Sequence, residues 1–132
     1  AENSNGEMVS LSSFIGEPVV LNFWASWCGP CQSEMPDFQK AYDKYGEEVD
    51  FVMLNYTTVV QETKETAQAF LAETGYTFPI YYDVNQEGIN AYPVWSIPTT
   101  YFIDRDGKVV SYTQGMISAG ALEEGIKEIK GE

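Results

Sequence analysis

A chain of 132 residues with 44% apolar and 14% aromatic content fits one domain around one hydrophobic core and is too apolar for wholesale disorder. Seven Lys and Arg against 20 Asp and Glu give a net charge of −13, which argues against binding to nucleic acid or to anionic membrane surfaces. The absence of histidine excludes Ser-His-Asp and Cys-His mechanisms and His-ligated metal centres, and two cysteines cannot build a multi-disulfide framework.

The expected organisation is a single domain over 1–132, with the polar residues 1–7 as a flexible N-terminal segment. Glu17 to Trp24, EPVVLNFW, is an apolar run without alternation, as expected of a central strand buried on both faces. A helix is predicted from Gly29 to about Tyr45, with Pro30 in its first turn, Pro36 as a kink in its interior and Gly46 as its C′ residue. Met35, Phe38, Ala41, Tyr42 and Tyr45 share its sheet-facing side. Val49 to Tyr56 reads as a second buried strand. A second helix is predicted from about Val60 to Thr74, with Thr58 and Gln61 at capping-box spacing and Gly75 closing it.

A short strand over Pro79–Asp83 and a short helix over Gln86–Tyr92 follow. Thr99–Asp104 and Lys108–Thr113 flank Asp104-Arg105-Asp106-Gly107 as a hairpin; that turn lacks the later ligands of a calcium loop. A last helix covers about Ser118–Lys130. This order predicts an α/β fold, a central mixed sheet with an antiparallel edge and helices on both faces.

Cys28 and Cys31 flank Gly29-Pro30 where the first core strand meets the first long helix. A thiol there lies near the positive end of the helix dipole, which favours thiolate, and in a Cys-X-X-Cys motif its pKa falls to somewhere in the range of about 3.5–7.5. Cys28 is then the attacking thiol and Cys31, one turn in, the resolving one. A zinc site needs four ligands, and the chain offers neither a second cysteine pair nor histidine. A purely stabilising staple closes too short a loop to remove much unfolded-state entropy. Redox chemistry is the favoured reading.

Trp27-Cys28-Gly29-Pro30-Cys31 after a buried strand resembles the active site of the thioredoxin superfamily. With VVLNFW before it, Ser96-Ile97-Pro98-Thr99-Thr100 and YFIDRDGKVV after it, the chain looks most like the TlpA/ResA branch of extracytoplasmic thiol-disulfide oxidoreductases over roughly Met8 to Ile129. The resemblance implies a thioredoxin-like fold, a cis Ile97–Pro98 bond facing the cysteines, and a docking surface formed by Trp27, Gly29, Pro30, Ile97 and Trp95. It implies disulfide-containing protein substrates, an upstream reductant that is a membrane protein or another thioredoxin-like protein, and no metal or organic cofactor. It also implies an extracytoplasmic location, with an anchor in a segment preceding Ala1.

One departure stands out. Thioredoxins place a buried aspartate where this chain has Asn22, which cannot titrate. Glu62, after the second core strand, is the candidate catalytic substitute; a helix-start carboxylate is the alternative reading of it. Trp24 reads as core and Trp95 as either core or docking wall. A cytosolic-type thioredoxin, a peroxide reductase and a redox-inert binding module of the same fold are the competing functions.

Overall fold

The computed structural model describes residues 1–58 and 61–131. Its elements run β1 (Glu2–Asn3), β2 (Val19–Trp24), α1 (Gly29–Tyr45), β3 (Asp50–Asn55), α2 (Lys64–Ala72), β4 (Ile80–Tyr82), α3 (Glu87–Ala91), β5 (Thr99–Ile103), β6 (Val109–Gln114) and α4 (Ala119–Lys130). They form a six-stranded sheet in the order β1-β4-β3-β2-β5-β6. β2, β3 and β4 are parallel, whereas β5, β6 and β1 join antiparallel to their neighbours.

All six residues of β2 are buried, so this strand has side chains committed to both faces. Val20 and Trp24 point into a cluster with Met35 and Phe38 of α1, Ala67 of α2 and Leu122 and Ile126 of α4. Leu21 and Phe23 point the other way, into a second cluster against which Leu11, Phe14, Ile89 and Tyr92 pack. Helices therefore cover both faces, with α3 and a single 3-10 turn at Leu11–Phe14 on the second. α3 sits so close to the sheet that a Cβ on Gly88 would meet Leu54 Cδ2 at 2.4 Å.

Three boundaries differ from expectation. The segment 1–7 is not a loose lead-in: Glu2 and Asn3 pair with Tyr82 and Tyr81, and Lys64 forms an ion pair with Glu2. Two polar residues carry no periodicity, so their pairing has no signature in the sequence. The start expected for the second helix, Val60, lies outside the described residues, and α2 begins only at Lys64. Thr58 Oγ1 does accept from the Gln61 N–H at 3.0 Å, but neither residue belongs to α2; the helix is capped by Thr63 and Thr66 bonding each other's backbone N–H. Gly46 caps α1 at φ −62° rather than as a left-handed C′ residue, and what it avoids is contact with Tyr42, whose carbonyl oxygen would lie 2.6 Å from a Cβ. α1 runs through Pro36 without interruption.

Candidate active site

Cys28 is the N-cap of α1: its φ and ψ are extended, and its Sγ accepts the Cys31 N–H at 3.2 Å. Gly29 and Pro30 form the first turn, both exposed. The 17-residue helix thus directs its N-terminal N–H groups at Cys28 sulfur, the arrangement that stabilises a thiolate. Cys28 and Cys31 are joined as a disulfide with Cα atoms 5.2 Å apart. Cys28 keeps 4% of its surface and Cys31 none, so the former is the sulfur open to a partner.

β5 brings the second half of the site. Thr99 pairs with Phe23, which sets the start of β5 beside the end of β2. The Ile97–Pro98 bond preceding it is cis. The Ile97 carbonyl oxygen lies 3.7 Å from Cys28 Sγ, and the Pro98 carbonyl accepts from Gly115 N at 2.8 Å. Beside the cysteines lies a groove of about 250 Å³ walled by Trp27, Tyr56, Val94, Trp95 and Ile97. Trp27 is 54% exposed and Trp95 78%, so neither serves the core. Trp24, by contrast, is fully buried.

Glu62 is also fully buried, but its hydrogen bonds run to neither cysteine. Oε2 accepts from Ser26 N at 2.5 Å and Asn55 Nδ2 at 2.9 Å, and Oε1 accepts from the hydroxyls of Ser26 and Thr66, each at 2.6 Å. It precedes Thr63, the N-cap of α2, and so lies ahead of the helix's first turn. Instead, the carboxylate fastens the loop between β2 and α1 to β3 and α2.

A carboxylate that sequence reasoning missed lies on the other side. Glu34 is 2% exposed; Oε2 accepts from Asn22 Nδ2 at 2.8 Å and Oε1 from Ile117 N at 3.1 Å. Asn22 Nδ2 also reaches Thr100 Oγ1 at 3.1 Å, while its Oδ1 has no hydrogen-bond partner among the described residues. Burial pushes the Glu34 carboxyl up to about 7, against the lowering effect of the Ile117 and Asn22 bonds. The available signal was position: Glu34 is three residues beyond Cys31, on the helix face that carries Met35 and Phe38.

The model of the AhpC/TSA family matches residues 1–112. The thiol-disulfide oxidoreductase ResA of Bacillus thuringiensis subsp. konkukian is 37% identical over 125 residues, covering 94% of this chain and 70% of that protein. A putative thiol:disulfide interchange protein DsbE from Chlorobium tepidum superposes with a TM-score of 0.84 at 32% identity, over 98% of this chain and 90% of that one. The exposed lipoprotein thioredoxin Etrx1 of Streptococcus pneumoniae gives a TM-score of 0.84 at 27% identity, over 96% of both chains. The chain belongs to the thioredoxin-like AhpC/TSA family and, with its ResA relatives, is a thiol-disulfide oxidoreductase.

Proposed function

We propose that this oxidoreductase reduces disulfides in extracytoplasmic protein partners, with Cys28 as nucleophile and Cys31 as resolving thiol. The observation that carries the reading is the placement of Cys28 Sγ at the N-terminus of α1, beside an open aromatic groove, while Cys31 is sealed. Cys28 thiolate attacks one sulfur of the partner's disulfide, forming a mixed disulfide and releasing the other sulfur as thiolate. Cys31 thiolate then attacks Cys28 Sγ, which forms the intramolecular disulfide and releases the second partner sulfur. Two electrons pass to the partner, and an upstream dithiol, from a membrane protein or another thioredoxin-like protein, restores the reduced pair.

Trp27, Trp95 and Ile97 wall the groove that holds the partner segment, Gly29 and Pro30 offer the exposed first turn of α1 to that partner, and Pro98 presents no N–H toward the sulfurs. Glu62 acts as a positioning residue through Ser26 rather than as a proton donor. Glu34 supplies the titratable group that Asn22 lacks, one turn from Cys31. The extracytoplasmic location, with an anchor ahead of Ala1, draws support from the exposed lipoprotein among the structural relatives. Among the described residues, no helix is long and apolar enough to cross a membrane.

The test is the reduction potential of the pair, measured in graded thiol/disulfide buffers, together with partner trapping. A value near or below about −250 mV, close to thioredoxin's, supports reduction; one around −120 to −180 mV reverses the direction of electron flow. Cys31→Ser should accumulate partners as mixed disulfides on Cys28, and a failure to recover any would count against the assigned roles.

A further inference from the structure

On the face of the sheet away from α1, a cavity of about 230 Å³ lies between the strands and residues 11–17. Its floor is Val19 and Leu21 of β2, Val52 of β3 and Ile103 of β5, with no polar side chain among them. Val19 opens the strand whose far end leads to Cys28, so the cavity lies at the opposite end and on the opposite face from the disulfide. An apolar cavity of roughly 150 Å³ already accepts benzene, so this one has room for a small hydrocarbon body.

Its cover is lightly built. Leu11 and Phe14 pack over the floor, and no residue of their 3-10 turn is fully buried. Phe14 meets Tyr81 edge-on at 5.5 Å, Leu11 N donates to Glu87 Oε2 at 3.1 Å, and Gly16 N donates to the Arg105 carbonyl at 2.9 Å.

The charged side chains that line the mouth are all acidic. Glu17, Glu87 and Asp104 line the cavity, and no Lys or Arg does; Arg105 and Lys108 stay exposed on the adjoining hairpin turn. Glu87 is already paired, its Oε1 with the Ala1 ammonium at 2.9 Å and its Oε2 with Leu11 N, and Asp104 Oδ1 is engaged by the N–H groups of Asp106 and Lys108. Glu17 is exposed, and while its N–H donates to the Phe14 carbonyl, its carboxylate makes no hydrogen bond or ion pair among the described residues. It faces Asp50, whose carboxyl is held above its ordinary range by burial and by Glu17 itself. A cation here would relieve that repulsion, whereas an anion would add to it.

We propose that this cavity binds a small amphiphilic amine, with its apolar part over Val19, Leu21, Val52 and Ile103 and its ammonium at Glu17. Hexylammonium, hexanol and hexanoate, titrated into the oxidised full chain and followed by methyl and amide NMR, test it. Hexylammonium should give saturable shifts at Leu11, Val19, Leu21, Val52 and Ile103, and Glu17→Gln should weaken it about fivefold, the scale of one partly exposed ion pair, without altering hexanol binding. The proposal fails if hexylammonium gives no saturable shifts, if they centre on Trp27 and Trp95, if hexanol or hexanoate binds as tightly, or if Glu17→Gln changes nothing. Because Glu17 is exposed, the variant tests binding without threatening the fold.

Discussion

Glu34 and Asn22 share one hydrogen bond where two are available: Asn22 Nδ2 donates to Glu34 Oε2 at 2.8 Å, and Asn22 Oδ1 is left without a partner among the described residues. The pair sits where β2, α1 and β5 meet, and its protonation state decides what the amide can do. An ionised Glu34 can only accept. A neutral one can donate to Oδ1 once the amide turns over.

The consequence for stability has a definite sign. The Glu34 carboxyl is raised from 4.5 to about 7 in the fold, so the folded chain holds a proton that the unfolded chain has released between these values. Its neutral form is the compatible one, and stability therefore falls as pH rises through this window and levels off above it. At 1.36 kcal/mol per tenfold change in proton affinity, the loss is about 3 kcal/mol. Denaturant unfolding at pH 5 and pH 8 should show this slope in the wild type, and Glu34→Gln should flatten it. A slope unchanged in the variant would place its origin elsewhere.

Glu62 separates positioning from proton transfer. A Gln oxygen in place of Oε2 keeps the bonds from Ser26 N and Asn55, and its NH₂ can donate to the Ser26 and Thr66 hydroxyls. Glu62→Gln should therefore retain turnover with an unaltered pH profile. Glu62→Ala orphans buried donors and should cost roughly 1–3 kcal/mol along with activity. If Gln proves as inactive as Ala while remaining folded, the carboxyl takes part in proton transfer.

Trp95→Ala should leave the melting temperature almost unchanged, since 78% of the residue already faces solvent. The expected effect is a KM about five- to tenfold higher for a protein disulfide, consistent with the loss of one aromatic contact of 1 kcal/mol or slightly more. Reaction with a small disulfide should not change. Equal effects on both substrates would mean that the indole supports the cysteines rather than the partner.

Two glycines of α4 predict opposite outcomes. A Cβ at Gly125 would lie 2.4 Å from Phe102 Cε1, whereas nothing lies within 4 Å of one at Gly120. Gly125→Ala should destabilise by about 1–3 kcal/mol through overpacking, and Gly120→Ala should stabilise by roughly 0.5–1 kcal/mol through helix propensity. Thermal unfolding of both variants, measured side by side, checks the pair.

The core strands were legible because β2 and β3 are buried on both faces and therefore read as continuous apolar runs, VVLNFW and DFVMLN. Cys28 and Cys31 were legible from their spacing and from Pro30 at a helix start. The cis state of Ile97–Pro98 was not, since only about 5–6% of such bonds are cis and no local feature marks them; it came from family resemblance. Glu34 was hidden inside an otherwise well-read helix, because periodicity assigns a face to apolar residues and leaves a lone carboxylate to solvent by default. The start of α2 was misplaced for the opposite reason: Thr58 does accept the hydrogen bond expected of it, from Gln61 N, but ahead of the helix, which starts only at Lys64.

The short pairing of β1 with β4 has a consequence beyond the tertiary fold. β4 is only three residues long and lies outermost of the parallel strands, so without Glu2 and Asn3 its outer N–H and C=O groups would face solvent as a template for another chain. Those two residues, with Lys64 bound to Glu2, close that flank against intermolecular strand exchange. Their contribution is thus to colloidal behaviour as much as to folding: trimming them as dispensable tail would leave the redox centre intact and the molecule more prone to self-associate.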